Sequence, residues 1–264
     1  MNRRGVERTS PLVLAGSAVA LALVVLPLVG LLTRVRWSTL AEDLTSRAAL
    51  DALRLSLMCS LLAAAISVVA GTPLAWLLAR GRGRGRSLLR GLVLLPMVLP
   101  PVVGGVALLS AFSLRSPIGG WLHDTFGLQL TFSTAGAVLA EAFVALPFFV
   151  VTLEGALRSL DPGLEEDAAS LGAGRAMAAR RVVLPLVAPA AASGAVLAWA
   201  RALGEFGATV TFAGNVEGRT RTLPLAVALL LESDRDAAVA LSLVLVAVSL
   251  VVIVALRGRW AVRR

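Results

Sequence analysis

The apolar run Leu53–Ala79 reads LRLSLMCSLLAAAISVVAGTPLAWLLA and holds a single charged side chain, Arg54. About 20 helical residues suffice to cross the roughly 30 Å of hydrocarbon in a bilayer, so this run predicts a transmembrane helix. Further runs of comparable length and apolarity are Pro11–Thr33, Leu92–Leu114, Thr134–Leu157, Val182–Phe206 and Ala237–Leu256. The sequence therefore predicts an all-α polytopic membrane protein with six transmembrane helices.

The composition excludes several other classes of protein. Of the 264 residues, 58% are hydrophobic and 16% are charged, whereas soluble domains average about 45–50% and about 25%. This hydrophobicity excludes a disordered chain, and the single cysteine, Cys59, excludes a disulfide scaffold. No alternating apolar pattern indicates a membrane barrel.

Residue types for catalysis are scarce. The chain has one histidine and one cysteine, and it lacks the G-x-x-x-x-G-K-[ST] loop of nucleotide hydrolases. We therefore expect no catalytic residue, no metal site and no cofactor bound by this chain, which is not expected to be an enzyme.

The formal net charge of +9 indicates a topology rather than a nucleic-acid partner. The arginines lie in short runs between apolar segments, as in Gly81–Arg86, where they favour contact with anionic lipid. Most arginines fall in the two tails and in the second and fourth connections, and fewer fall in the alternate segments. The positive-inside rule then predicts cytoplasmic termini, and an even number of helices agrees.

The connection between the fourth and fifth predicted helices contains a short helix of its own, at about residues 161–175. Asp161 suits the N-cap and Pro162 suits the first helical position. Acidic residues follow in the first turns, where the helix dipole favours anions, and small residues follow these. They are Glu165, Glu166, Asp167, Ala168, Ala169 and Gly172. The small side chains predict close approach of a cytoplasmic partner, with a solvated connecting helix as the alternative.

This segment resembles the cytoplasmic motif of ABC importer permeases, which is written E-A-A-x-x-x-G, nine residues, I-x-L-P. The chain matches with Glu166-Asp167-Ala168, Gly172 and Val182-Val183-Leu184-Pro185, and departs from it at Asp167 and Val182. The resemblance implies that this helix couples to a cytoplasmic ATPase subunit, which would use the ATP. It also implies a type I importer core of five helices over residues 46–256. Residues 1–45, with the first helix, and the basic tail 257–264 lie outside that core.

Three further segments are similar to molybdate ABC transporter permeases. They are Leu95–Gly104, Ser116–Leu122 and Ala200–Phe212, the last reading ARALGEFGATVTF. The resemblance implies a homodimer in the bacterial cytoplasmic membrane that translocates molybdate or tungstate. Its implied partners are two ATPase subunits and an extracytoplasmic oxyanion-binding protein. Sulfate permeases share part of the pattern, so sulfate or another oxyanion stays an alternative.

Candidate pathway or gate residues lie in two of these segments. Pro100 and Pro101 interrupt backbone hydrogen bonding within a predicted span, which membrane proteins tolerate where the backbone is buried in protein or lines water. Their alternative role is a packing kink. The second group is Arg201, Gly204, Glu205 and Phe206. Arg201 and Glu205 are four residues apart, which would place them on one helix face, as a gate or as an ion pair that holds the fold.

A different mechanism centres on Glu141, which lies inside a predicted span. Acidic groups within the membrane are functional candidates by default, so Glu141 could couple transport to protons in a secondary transporter. Alternatively, Arg54 could neutralise Glu141. The secondary-transporter hypothesis requires no ATPase partner.

Overall fold

The computed structural model describes residues 10–81, 83, 85–161 and 163–260, and these residues form helices joined by short turns, without a strand. The predicted first-turn residue Pro162 and the tail residues 1–9 and 261–264 lie outside the described residues. In chain order the α-helices are α1 (Pro11–Thr33), α2 (Leu40–Thr45), α3 (Arg47–Arg80), α4 (Arg86–Val98), α5 (Pro101–Phe112), α6 (Pro117–Phe126), α7 (Thr134–Ser159), α8 (Gly163–Ser170), α9 (Arg175–Ala178), α10 (Leu184–Leu203), α11 (Gly207–Phe212), α12 (Leu223–Ser233) and α13 (Arg235–Trp260). A π-helical turn, Ala179–Val183, joins α9 to α10.

The prediction of an all-helical polytopic membrane protein is confirmed. Helices α1, α3, α7 and α13, and the continuous segment Arg175–Leu203, are long and apolar enough to cross a membrane. The pair α4 and α5 provides a sixth crossing if it is counted as one span.

The third predicted span, Leu92–Leu114, is not one helix. Helix α4 ends at Val98, α5 begins at Pro101, and the two are bent by 118°. The cause is the pair of consecutive prolines, because a residue that precedes proline is driven out of the helical region. Leu99 and Pro100 both precede a proline and both are extended, with ψ of 136° and 133°.

The fifth predicted span, Val182–Phe206, ends earlier than expected. Helix α10 stops at Leu203, and Gly204, Glu205 and Phe206 form a break before α11. Glycine has the weakest helix propensity after proline, which makes Gly204 a suitable terminator. The sequence also failed to predict α12, whose 11 residues are too few for the span criterion.

The core lies where α3, α7 and α10 pack together. Phe149 of α7 is fully buried between two glycines of the neighbouring helices. A Cβ on Gly71 of α3 would lie 2.7 Å from Phe149 Cδ1, and a Cβ on Gly194 of α10 would lie 3.3 Å from Phe149 Cδ2. Small residues allow this close approach, which is how membrane helices associate without a hydrophobic driving force between them. Helix α1, in contrast, buries none of its residues in this chain.

Candidate functional site

The span that is broken between α4 and α5 contacts helix α11, which follows the break after α10, and these contacts are made through glycines. A Cβ on Gly105 of α5 would lie 2.6 Å from Thr211 Cβ of α11, and a Cβ on Gly207 would lie 2.8 Å from Pro101 Cβ. Helix α7 supports both short helices with an apolar cluster in which the fully buried Phe212 takes part. The breaks after α4 and after α10 are therefore neighbours in space.

Arg201 and Glu205 do form an ion pair, although they do not share a helix. Arg201 Nη2 lies 2.6 Å from Glu205 Oε2, but Glu205 follows the end of α10. Its second oxygen, Oε1, accepts a hydrogen bond of 2.7 Å from the backbone N–H of Ala208 in α11. Glu205 is 1% exposed, whereas the Arg201 side chain is 27% exposed. The carboxylate thus joins the end of α10 to the start of α11.

The other predicted pathway residues lie on the surface of the single chain. Pro100 and Pro101 are exposed, and so are Gly204 and Phe206. Non-helical backbone is therefore exposed at both breaks, which the contact between Pro101 and Gly207 places next to each other. Among the six predicted pathway residues, the structure brings Pro101, Arg201, Glu205 and their neighbours into one region, with Glu205 alone fully buried.

Glu141 forms no ion pair among the described residues. It is 1% exposed, and its Oε2 has no hydrogen-bond partner among the described residues. The ion pairs of the described residues include neither Glu141 nor Arg54, so the structure lends no support to the alternative in which Arg54 neutralises Glu141. Thr209 Oγ1 is also buried without a partner. Within the part of the chain that the structure describes, Glu141 thus has no basic side chain within ion-pair distance.

The predicted cytoplasmic helix is shorter than expected. Helix α8 ends at Ser170 because Gly172 has a left-handed φ of 84°. The N–H of Gly172 donates to Ala169 O and the N–H of Ala173 donates to Ala168 O, both at 2.9 Å, which is the Schellman arrangement of a helix end. At the other end, the Asp161 carboxylate accepts from the N–H of Gly163 at 2.9 Å.

The predicted coupling residues divide between two sides of α8. Glu165 and Ala168 turn towards the protein, and Glu165 pairs with Arg80 of α3 at 2.9 Å. The remaining coupling candidates, and the large apolar side chain that follows the helix, are exposed. They are Glu166, Asp167, Ala169, Gly172 and Leu171, which is 89% exposed. An outward surface of this kind is free to meet a partner.

A charged group that the sequence did not single out lies near the C-terminal end of α7. Glu154 is 1% exposed and lies 3.0 Å from Arg158 and 3.5 Å from Arg90 of α4. Glu154 could have been identified from the sequence, because an acidic residue inside a predicted span is unusual. The glycine contacts between α5 and α11 carried no comparable signal.

These features define a polytopic membrane component in which the span broken between α4 and α5 lies against the turn after α10, and in which the short helix α8 carries an exposed surface. Residues 71–264 match the family described as binding-protein-dependent transport system inner membrane component, and the chain belongs to this family. The fold agrees: a bacterial ABC transporter involved in the import of alginate superposes with a TM-score of 0.77 over 95% of each chain, at 16% identity.

Two curated relatives are closer in sequence. The chain is 49% identical to the molybdenum transport system permease protein ModB of Mycobacterium tuberculosis over 201 residues, which is 76% of each chain. It is 38% identical to the sulfate transport system permease protein CysT of Escherichia coli over 189 residues, which cover 72% of this chain and 68% of the relative. The sequence-based resemblance to ABC importer permeases is therefore confirmed.

Proposed function

We propose that this chain is the membrane-spanning subunit of an ATP-driven importer that translocates molybdate, and also tungstate, across the bacterial cytoplasmic membrane. The observation that supports this substrate is the 49% identity to a molybdenum transport permease, against 38% to a sulfate permease, over similar lengths. The chain hydrolyses no ATP and holds no cofactor; a partner ATPase uses the ATP, and a binding protein delivers the oxyanion from outside. Both termini lie in the cytoplasm.

A second copy of the chain completes the pathway. The exposed backbone at Pro100 and Gly204 supports this proposal, because non-helical backbone within a bilayer must be buried in protein or face water. Exposed apolar side chains adjoin the two breaks, among them Val98, Val102 and Phe206, which are 81%, 53% and 42% exposed. A homodimer would cover these residues and leave the broken backbone at a shared central path.

The ATPase docks on the outward surface of α8. Leu171 follows this helix and is 89% exposed, so its apolar side chain is available for contact with the ATPase. The acidic residues Glu166 and Asp167 flank it without pairing to another described residue of this chain.

The test is molybdenum uptake, measured by elemental analysis, in cells that lack their own molybdate importer. The cells express this chain with its ATPase and binding protein, with or without excess sulfate. Uptake that resists sulfate and disappears without the ATPase is the expected result. Uptake abolished by sulfate would reassign the substrate to sulfate, and uptake that survives without the ATPase would overturn the ATP-driven mechanism in favour of a secondary transporter.

A further inference from the structure

Glu154 gathers the cytoplasmic ends of three helices around one buried carboxylate. Its Oε1 lies 3.0 Å from Arg158 Nη2 on the same helix, and its Oε2 lies 3.5 Å from Arg90 Nε on α4. Arg158 Nη2 also approaches the backbone oxygen of Leu78 near the end of α3, at 3.4 Å. One acidic group therefore connects α7 to α4, and to α3 through Arg158.

The same region is connected to the docking helix. Arg80, the last residue of α3, lies 2.9 Å from Glu165 in the first turn of α8. Leu78 and Arg80 occupy the same final turn of α3. A continuous line of polar contacts thus runs from Glu165 through the end of α3 to Arg158 and Glu154, and from there to Arg90.

Packing alone does not explain the carboxylate at position 154. The neighbouring residues Leu153 and Leu157 are fully buried and apolar, and a buried ion pair is often no more stabilising than apolar residues of similar volume. What a paired carboxylate does provide is a fixed direction for each guanidinium that it binds. This geometry indicates a positioning role rather than a purely stabilising one.

Helix α4 has few other attachments to the rest of the chain. Val93 is its one buried residue, and Leu88 and Leu92 are 70% and 57% exposed. Arg90 carries the ion pair that α4 makes among the described residues. Val93 and Leu89 pack α4 against the main apolar core, and the Arg90–Glu154 contact adds a charged attachment to α7. Helix α4 leads directly through the bend at Pro100 to α5.

We propose that Glu154 is a positioning residue that ties the docking helix α8 to α4. Displacement of α8 by the ATPase pulls on Arg80 and the end of α3, and Glu154 passes this movement to Arg90 and α4. The bend then carries it to α5, which rests on α11. This inference rests on the proposed function, because it assumes that an ATPase moves α8.

The decisive comparison uses Arg90→Gln and a matched control, Arg86→Gln, in the complete importer with its ATPase and binding protein in proteoliposomes. Both variants remove one arginine from α4, but among the described residues the Arg86 side chain donates to the oxygen of Gly81 alone, in its own loop, at 2.8 Å. We expect Arg90→Gln to lower molybdate uptake per ATP hydrolysed by at least about fivefold, the lower end of typical coupling between sites. Arg86→Gln should leave this ratio unchanged.

Two further measurements separate positioning from folding. Arg90→Lys keeps the positive charge and should restore much of the ratio, while ATPase copurification reports assembly for every variant. A parallel loss of assembly, ATP hydrolysis and uptake in Arg90→Gln would overturn the proposal, as would an unchanged ratio. Failure of the proposed function has a different signature, because the unmodified complex itself would then import no molybdate.

Discussion

The contact between α5 and α11 is open to a sharp test, because Gly105 leaves no space for even one methyl group. In Gly105→Ala the new Cβ would lie 2.6 Å from Thr211 Cβ and 3.0 Å from the backbone oxygen of Ala208. Neither atom is the flexible end of a side chain, so α5 and α11 must separate to accommodate the methyl group.

The size of the effect follows from two opposing contributions. Overpacking costs about 1–3 kcal/mol, and contact with such fixed atoms places Gly105→Ala near the upper value. Alanine is about 1 kcal/mol more favourable than glycine within a helix, which offsets part of that cost. The net strain of about 2 kcal/mol would disfavour the conformation in which α5 and α11 touch by about 30-fold.

The assay is the initial rate of molybdate uptake, normalised to the amount of chain in the membrane. We expect Gly105→Ala to reduce this rate by between about tenfold and about 30-fold, the upper value applying if transport requires the conformation in which α5 and α11 touch. Gly91→Ala is the matched control, since it makes the same replacement within α4, where an added Cβ meets nothing within 4 Å. Its rate should stay at the unmodified value.

A second-site change makes the reasoning refutable. Thr211→Gly removes the Cβ that the new methyl group would strike, so it should recover part of the rate lost in Gly105→Ala. Equal rates for the Gly105 and Gly91 variants would refute the importance of this contact. A loss in Gly105→Ala that Thr211→Gly leaves untouched would show that the defect arises elsewhere.

Three other predictions concern the remaining candidate residues. Glu205→Gln keeps an acceptor for the N–H of Ala208 but leaves the Arg201 charge uncompensated, so that Arg201 would hold a passing anion more strongly. Because a conduit must release its ion, we expect uptake to be about tenfold slower at an unchanged amount of membrane protein. An unchanged rate would contradict this prediction. Glu141→Gln should alter uptake by less than about twofold, because an ATP-driven importer needs no proton-coupling acid, whereas abolished uptake together with dependence on a pH gradient would favour the secondary transporter. Gly172→Val forces a branched side chain into a φ of 84°, which costs about 1–3 kcal/mol, and should reduce the amount of ATPase that copurifies. Gly174→Val is its control, because Gly174 has a φ of −66° and an added Cβ there would meet nothing within 4 Å. Equal copurification of the ATPase with both variants would contradict the role of the turn.

The parts of the fold that the sequence predicted depend on short-range patterns. Hydrophobic run length predicted the spans because the bilayer sets a required length, and spacing predicted the docking helix because its capping and its glycine are local requirements. The same reasoning located the interruption at Pro100 and Pro101, since proline acts on its immediate neighbours. The predicted helix of about residues 161–175 was too long, because the sequence analysis did not assign a left-handed conformation to Gly172.

The unpredicted parts depend on pairs of residues that are distant in sequence. The prolines explain why α4 and α5 are separate helices, but the contact of α5 with α11 through Gly105 and Gly207 is visible only when both helices are in place. The same holds for Glu154, whose partner Arg90 belongs to another helix. Pairing of Arg201 with Glu205 was predicted for an incorrect reason, because a break in the chain brings the two together rather than a shared helix face.

Glu205 also bears on how an oxyanion could pass this region under the proposed function. Its carboxylate already occupies the two groups that would hold an anion most strongly, the Arg201 guanidinium and the N–H of Ala208. An incoming dianion would have to displace this internal carboxylate, which is 1% exposed, before it could bind there tightly. Conduction requires weak binding, because an ion held strongly is not released. The ion pair therefore favours rapid passage over retention, and selection between molybdate and sulfate is then expected from the extracytoplasmic binding protein.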